Sequence, residues 1–416
     1  MKVNDEPVFW FRKTTAPGLV LYALLFTIRF TAGQAVIFPD KKNLPTLVLG
    51  GGLAGLAAAL DLAGRGHRVV VVERRHYPFH RVCGEYVSNE VLPYLRRLGA
   101  DPAALAPAAI GQFRLSSPAG RVLASPLDLG GFGVSRYVLD DFLYQRARAA
   151  GVEFEFATVA DVAFDAGTDQ HRVALADGRQ LAASLVLGTY GKRSALDRQL
   201  GRPFFGQRSP YLGVKHHLRL PGFARDVIEL HNFRDGYAGI SAIEEDKLCF
   251  CYLTTRANLK AGGGTIAALE SEVLARNPRL ADILARAERL YAQPEVINEI
   301  SFAPKLPVEQ HLLMVGDAAG LITPLCGNGM AMALHGAALA APLASRFLRG
   351  ELPRAALEAA YTQAWRQQFG TRLRVGRAVQ GLFGGPVLSE LVVGGLRHWP
   401  AAVRALMRQT HGREFA

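Results

Sequence analysis

Residues 46–73, TLVLGGGLAGLAAALDLAGRGHRVVVVE, decide the reading of this chain. An apolar strand, Leu47-Val48-Leu49, runs into the turn Gly50-Gly51-Gly52-Leu53-Ala54-Gly55. An Ala/Leu-rich helix follows to about Arg65, Gly66 stops it, a second strand covers 68–72, and Glu73 stands at its end. Gly50, Gly52 and Gly55 meet the spacing G-x-G-x-x-G. In such a unit the first glycine makes the tight turn, the second lets a pyrophosphate approach the backbone, and the third lets helix and strand pack closely. The first N–H groups of the helix have no internal partner, and the dipole there favours an anion. A carboxylate about twenty residues on accepts hydrogen bonds from a ribose diol. The spacing alone is weak. Its place between a strand and a helix, with an acid closing the next strand, favours a dinucleotide over a glycine-rich turn with no ligand.

The 416 residues allow two domains or one large composite core. Half of them are hydrophobic and a fifth charged, so the chain is globular with an unusually apolar share. A net charge of +12 fits nucleic acid, anionic lipid or acidic substrates. No aromatic-interleaved basic repeat or zinc spacing is present, which argues against nucleic acid. From Ser345 onward there are 11 Arg and 4 Glu, beside the apolar stretches 382–388 and 391–393. This combination fits a membrane-surface face or an ordinary helical tail packed on the body. The four cysteines, Cys83, Cys249, Cys251 and Cys326, match neither a disulfide scaffold nor a metal site. A reducing compartment is expected, the cytoplasm or the inner face of a membrane.

Five segments are expected: 1–45, 46–200, 201–305, 306–345 and 346–416. The first is apolar from Leu19 to Ile28, behind Arg12 and Lys13. That run is too short to span a bilayer, which takes roughly 20 residues. It reads as a peripheral anchor, an amphipathic arm or an over-extended gene start. Short strands are expected at 113–115 and 122–123, then a helix from Arg136 to Ala150 and a strand at 152–156. A hairpin over 173–187 turns at Asp177-Gly178. Strands at 218–220, 227–231, 237–242 and 248–254 predict an antiparallel sheet, followed by helices over 265–292. The chain then reaches Gly316-Asp317-Ala318-Ala319-Gly320 and Gly327-Asn328-Gly329-Met330, which opens an Ala-rich helix.

The Gly50 turn with Glu73, the helix led by Arg136 and the GDAAG…P…GNGM block together resemble FAD-dependent oxidoreductases of the p-hydroxybenzoate hydroxylase fold. Arg81-Val82-Cys83-Gly84-Glu85 is similar to the basic-x-Cys-Gly segment of the geranylgeranyl reductase branch. The resemblance covers roughly residues 46–345. It implies an α/β fold: a Rossmann-like FAD-binding domain, an antiparallel substrate domain and C-terminal helices. It places Gly50, Gly52, Ala54 and Gly55 at the FAD pyrophosphate and Glu73 at the adenosine ribose. Arg74, Arg81, Cys83, Gly84 and Tyr86 then line the path to the flavin. Arg136 contacts the nucleotide, and backbone near Val159 faces the adenine. Gly316 and Asp317 hold the ribityl–pyrophosphate region, and Gly327, Gly329 and Met330 present N–H groups to the flavin ring. The last role has its own reason, because a helix N-terminus stabilises the negative edge of a reduced flavin.

The sequence also departs from its relatives. Hydroxylating members carry Asp-Gly where this chain has Tyr190-Gly191. The aromatic-x-Trp-x-Phe-Pro stretch of the reductase branch is replaced by Gly236–Ala242, and the Trp-x-Trp of flavin halogenases is missing. Cys83 and Cys326 are the candidate proton donors or redox pair, or else two small packing residues. Tyr237 is a candidate cavity residue or a core aromatic. Cys249 and Cys251 share one face of a strand, whereas His216 and His217 point to opposite faces. The expected reaction is reduction of carbon–carbon double bonds in an apolar substrate, isoprenoid or polyketide-derived. The alternatives are hydroxylation of an aromatic or polyketide product, and electron transfer at a membrane. With no second dinucleotide fingerprint, NAD(P)H is expected as a transient donor only; the sequence does not name the electron donor.

Overall fold

The computed structural model describes residues 44–323, 327–382, 385–410 and 412–416. The expectations for residues 1–43, and for Cys326, lie outside them. A six-stranded sheet holds, in order, Val308–Glu309, Leu312–Met314, Leu185–Gly188, Thr46–Leu49, Val69–Glu73 and Glu153–Phe156. Four of its five pairings are parallel, and Leu47, Val48 and Leu49 meet Val186, Leu187 and Gly188 on one side and Val70, Val71 and Val72 on the other. Thr46–Leu49 and Leu185–Gly188 are buried throughout, as parallel strands covered on both faces must be.

The helix Leu53–Gly64 follows the first strand, and it packs against Gly329–Leu348. Both helices are rich in alanine, which lets their backbones come close. Gly55 shows how tight the turn is: a Cβ there would lie 2.1 Å from the Gly50 carbonyl oxygen and 2.7 Å from Thr189 Oγ1. Gly50 itself has φ +109°, a conformation that glycine alone takes readily. The helix Arg136–Ala149 begins at Ser135, whose hydroxyl accepts from the Val138 N–H.

The second sheet has nine strands, eight of them in the order Glu288–Arg289, Tyr211–Arg219, Leu248–Thr255, Gly236–Ala242, Val227–Phe233, Ala108–Ser116, Val122–Gly133 and Tyr86–Ser88. The ninth, Glu295–Asn298, pairs with Tyr211–Arg219. The pairings are antiparallel except that Val227–Phe233 runs parallel to Ala108–Ser116. The sheet is therefore not confined to 201–305, because three of its strands come from 86–133. The two strands expected at 113–115 and 122–123 run much longer, through Pro126 and Gly130, with a register shift between Ile110 and Gln112 that absorbs the irregularity.

Two further expectations are corrected. Residues 180–187 are not one strand. Gln180–Ala183 closes a three-stranded sheet with Val159–Asp165 and Gln170–Leu175, and Leu185–Gly188 enters the parallel sheet. The break falls at Ser184, whose carbonyl accepts from Arg354 Nη2 at 2.7 Å. The region 265–292 is helical over Ile266–Glu272, the short 3-10 turn Leu274–Arg276 and Pro278–Arg286, and Glu288–Arg289 joins the sheet.

After Gly329–Leu348 come Arg354–Leu382, Pro386–Leu396 and Pro400–Thr410. They close over the second sheet. Val379, Val393 and Val403 from these helices share a buried cluster with Leu115, Leu123, Leu230, Tyr237 and Leu253 from the strands.

Candidate active site

The C-terminal ends of the parallel strands open onto a cavity of about 570 Å³ that extends to the second sheet. Its nucleotide end is lined by Gly50, Gly52, Ala54, Glu73, Arg74, Arg81 and Arg136. A Cβ built on Gly52 would meet only Arg136 Nη2, at 3.6 Å, so this glycine faces open space rather than protein. Gly52 caps Leu53–Gly64 with no side-chain hydrogen bond, which leaves the first-turn N–H groups to whatever occupies the cavity. Tyr77 supports the turn from behind. Its hydroxyl donates to the Gly51 carbonyl at 2.5 Å, and its ring stacks on Tyr144 at 4.4 Å.

Charge at this end is arranged in a chain. Glu73 Oε2 accepts from the Gly51 N–H at 2.9 Å and from Arg81 Nη2 at 3.1 Å. Arg81 Nε reaches Asp140 at 3.2 Å, and Asp140 takes Arg136 in a two-point pair at 2.7 and 2.6 Å. The two arginines are thus fixed before any ligand arrives.

A second helix N-terminus faces the same cavity. Gly327, Gly329 and Met330 line it, and Gly329–Leu348 has no side-chain cap. Asn328 stands in the capping position, but its side chain does not cap the helix. Asp317 lines the cavity beside Val315, and Gly316, at φ +67°, would place a Cβ 3.0 Å from that of Ala54. Two uncapped helix ends and a glycine cradle opening into one cavity, with acidic and basic groups at one end, fit an extended dinucleotide.

Beyond Cys83 lies a cluster that the sequence did not announce. Glu85 lines the cavity, is fully buried and has φ +56°, a left-handed conformation costing a non-glycine residue on the order of 1–2 kcal/mol. Its Oε1 accepts from Lys215 Nζ at 2.7 Å and from the Arg136 N–H at 2.9 Å, and its Oε2 bonds His217 Nε2 at 2.6 Å. Burial by itself would raise the carboxyl, but Lys215 and His217 outweigh it and hold it at about 2. Burial likewise works against the Lys215 ammonium, and Glu85 reverses that and raises it. Glu85, His217 and Cys249 present ligand atoms within 4.8 Å of one another. The Lys215 ammonium already sits on the carboxylate, so the group reads as a buried ion pair, not a cation site.

His216 points the other way, to Glu270 at 2.8 Å, in accord with the alternation expected of adjacent strand residues. Lys215 and His217 stand opposite Cys251 and Cys249 on the neighbouring strand. Cys249 Sγ donates to the Cys83 carbonyl at 3.3 Å, and Cys251 lines the cavity with its thiol pushed up to about 12 by burial. Cys251 is therefore a cavity residue and not only core packing.

The far end of the cavity is apolar. Phe113, Leu115, Leu123, Leu230, Tyr237 and Leu253 form one wall. Val379, Leu396, Val403, Leu406 and Met407 form the other. Among the sequence candidates, Gly50, Gly52, Ala54, Glu73, Arg74, Arg81, Cys83, Gly84, Tyr86, Arg136, Tyr237, Asp317, Gly327, Gly329 and Met330 all line this one space. Gly55 and Gly316 stand behind the lining. Val159 opens an edge strand of the three-stranded sheet and is not part of the lining.

Fold and site together define a flavin-type dinucleotide-binding oxidoreductase, with the cofactor seat and an apolar chamber in one cavity. The chain belongs to the FAD binding domain family, whose model matches residues 43–373. It is 29% identical over 317 residues to a kynurenine 3-monooxygenase of Myxococcus xanthus, covering 70% of this chain and 68% of that protein. It is 26% identical over 361 residues to a digeranylgeranylglycerophospholipid reductase of Methanoculleus marisnigri, covering 82% and 87%. Its fold is similar to that of a flavin-dependent brominase, with a TM-score of 0.73 at 18% identity over 90% of this chain and 94% of that one. The protein is accordingly an FAD-dependent oxidoreductase, while its relatives include reductases, monooxygenases and halogenating enzymes.

Proposed function

We propose that the protein reduces carbon–carbon double bonds in an apolar substrate, as the geranylgeranyl reductase-like reading of the sequence expects. The observation that carries this reading is the chamber between the second sheet and the C-terminal helices. Its two walls, from Phe113 to Leu253 and from Val379 to Met407, offer aliphatic and aromatic surface. A hydrocarbon chain gains from that burial, whereas a phenol or an indole carboxylate needs polar partners there to offset its desolvation.

Bound FAD supplies a hydride when reduced. The chain's own groups do the rest. Gly52 and the N-terminus of Leu53–Gly64 would hold the pyrophosphate, and the N–H groups at Gly329 and Met330 would favour the anionic edge of the ring. The apolar walls exclude water. Saturation of an alkene would also need a proton on the second carbon, for which the Cys83 thiol in the cavity lining would be the donor.

The FAD-loaded protein, chemically reduced under argon and given geranylgeraniol, is expected to yield products carrying two extra hydrogens per saturated bond by mass spectrometry. Absence of saturation, with label from oxygen gas entering the product in air, would establish a monooxygenase instead. Cys83→Ala is expected to slow saturation about 100-fold while the visible flavin spectrum is unchanged. An unaltered rate would remove the proton-donor role from Cys83.

A further inference from the structure

The C-terminal helices have two unlike faces. Toward the body, Ser389 and Val393 are buried, and Leu396 and Val403 line the apolar chamber. Away from it, Val387 is 71% exposed, Leu391 69% and Trp399 71%, with Leu388 beside them. Among the described residues these are the three most exposed large apolar side chains. Val387 and Leu391 are four apart on one helix and therefore share a face. Arg397 and His398 lie exposed next to Trp399, with Arg404 on the following helix, while Arg408 pairs with Asp128 and Arg121 reaches across to Glu390.

We propose that this outer face docks on an anionic lipid surface and admits the apolar substrate to the chamber behind it. Isolated exposed apolar residues need no partner, but Val387 and Leu391 on one helix face, with an exposed tryptophan just past the helix end, mark a contact surface. A tryptophan beside arginines is the composition of the boundary between headgroups and acyl chains. The net charge of +12 draws the whole molecule toward a negative surface. Leu391 on the outer face and Leu396 in the chamber wall belong to the same helix, so only that helix stands between the outer face and the chamber. The delivery half of this inference rests on the reaction proposed above; the docking half does not.

The test uses the full-length, FAD-loaded protein and its variant Val387→Asp/Leu391→Asp, neither position lying in the cavity lining. Wild type is expected to sediment with phosphatidylglycerol–phosphatidylcholine vesicles and much less with phosphatidylcholine alone, and the variant to lose about tenfold or more of that binding. Equal sedimentation of variant and wild type, or no sedimentation of wild type, overturns the docking. Failure to bind vesicles together with an oligomer that the variant dissociates assigns the face to a second copy of the chain and also overturns it. Saturation of detergent-dispersed geranylgeraniol is expected to be equal in both proteins, with a loss in the variant only when the substrate is carried in vesicles. Equal turnover of vesicle-borne substrate overturns delivery. No turnover in either format, with vesicle binding intact, refutes the reaction and leaves the docking standing.

Discussion

Gly52→Val is expected to purify folded and colourless. A Cβ at this glycine meets no protein atom closer than Arg136 Nη2 at 3.6 Å, the end of a long side chain, so the substitution leaves the backbone of the turn undisturbed. It fills the space through which a pyrophosphate must reach the first-turn N–H groups of Leu53–Gly64. Each ligand oxygen kept from those groups loses a charge-assisted hydrogen bond of roughly 1.5–3 kcal/mol. Loss of two such bonds lowers affinity by about a hundredfold or more. The absorbance ratio of flavin to protein measures the outcome, and circular dichroism checks the fold. A variant that purifies yellow at full occupancy would place the pyrophosphate elsewhere. Gly55→Val makes the contrast: its Cβ would stand 2.1 Å from the Gly50 carbonyl oxygen, so it is expected to lose the fold and not merely the colour.

Glu85→Gln is the second large effect, and it concerns stability first. The substitution leaves the Lys215 ammonium buried without its counter-charge. Breaking a buried pair from one side costs about 3–5 kcal/mol, read as a drop in the denaturant midpoint. The pH dependence follows from the direction of the shift. The carboxyl lies at about 2 in the folded protein against an ordinary 4.5. The folded state therefore prefers the ionised form. The resulting stabilisation is complete above pH 4.5 and is lost as pH falls from there through about 2. Wild type should lose stability across that window, and the variant should lack this part of the acid dependence. Parallel acid profiles for the two proteins would show that the Lys215 and His217 contacts do not hold the charge.

The parts of the site that the sequence discloses are those encoded within a single turn or strand. Gly50, Gly52 and Gly55 are three neighbours whose spacing carries its own physical reason. Ser135 before Arg136, and Gly327 to Met330 before the alanine-rich helix, are equally local. Glu85 shows what escapes such reading. Its partner Lys215 is 130 residues away, and Lys215 looks like an ordinary strand lysine until the second sheet, to which both segments belong, is assembled. The split at Ser184 is hidden for a similar reason. Leu181 to Leu187 contains no glycine or proline to mark a boundary, and only the shift from partial to complete burial separates the two strands. The chamber wall was half legible: the sequence offered a packed tail or a lipid-facing tail, and the helices have an inward and an outward face.

The path of the chain has a consequence for anyone who would divide this protein. It leaves the parallel sheet after Glu73, supplies three strands to the second sheet, and returns at Glu153. After Gly188 it leaves again and comes back at Val308. Excising 201–305 as a transplantable module would strip Ala108–Ser116 of its neighbour Val227–Phe233 and expose an unpaired edge. A chimera with altered substrate preference therefore has to exchange 86–133 along with it, and limited proteolysis should release no stable half.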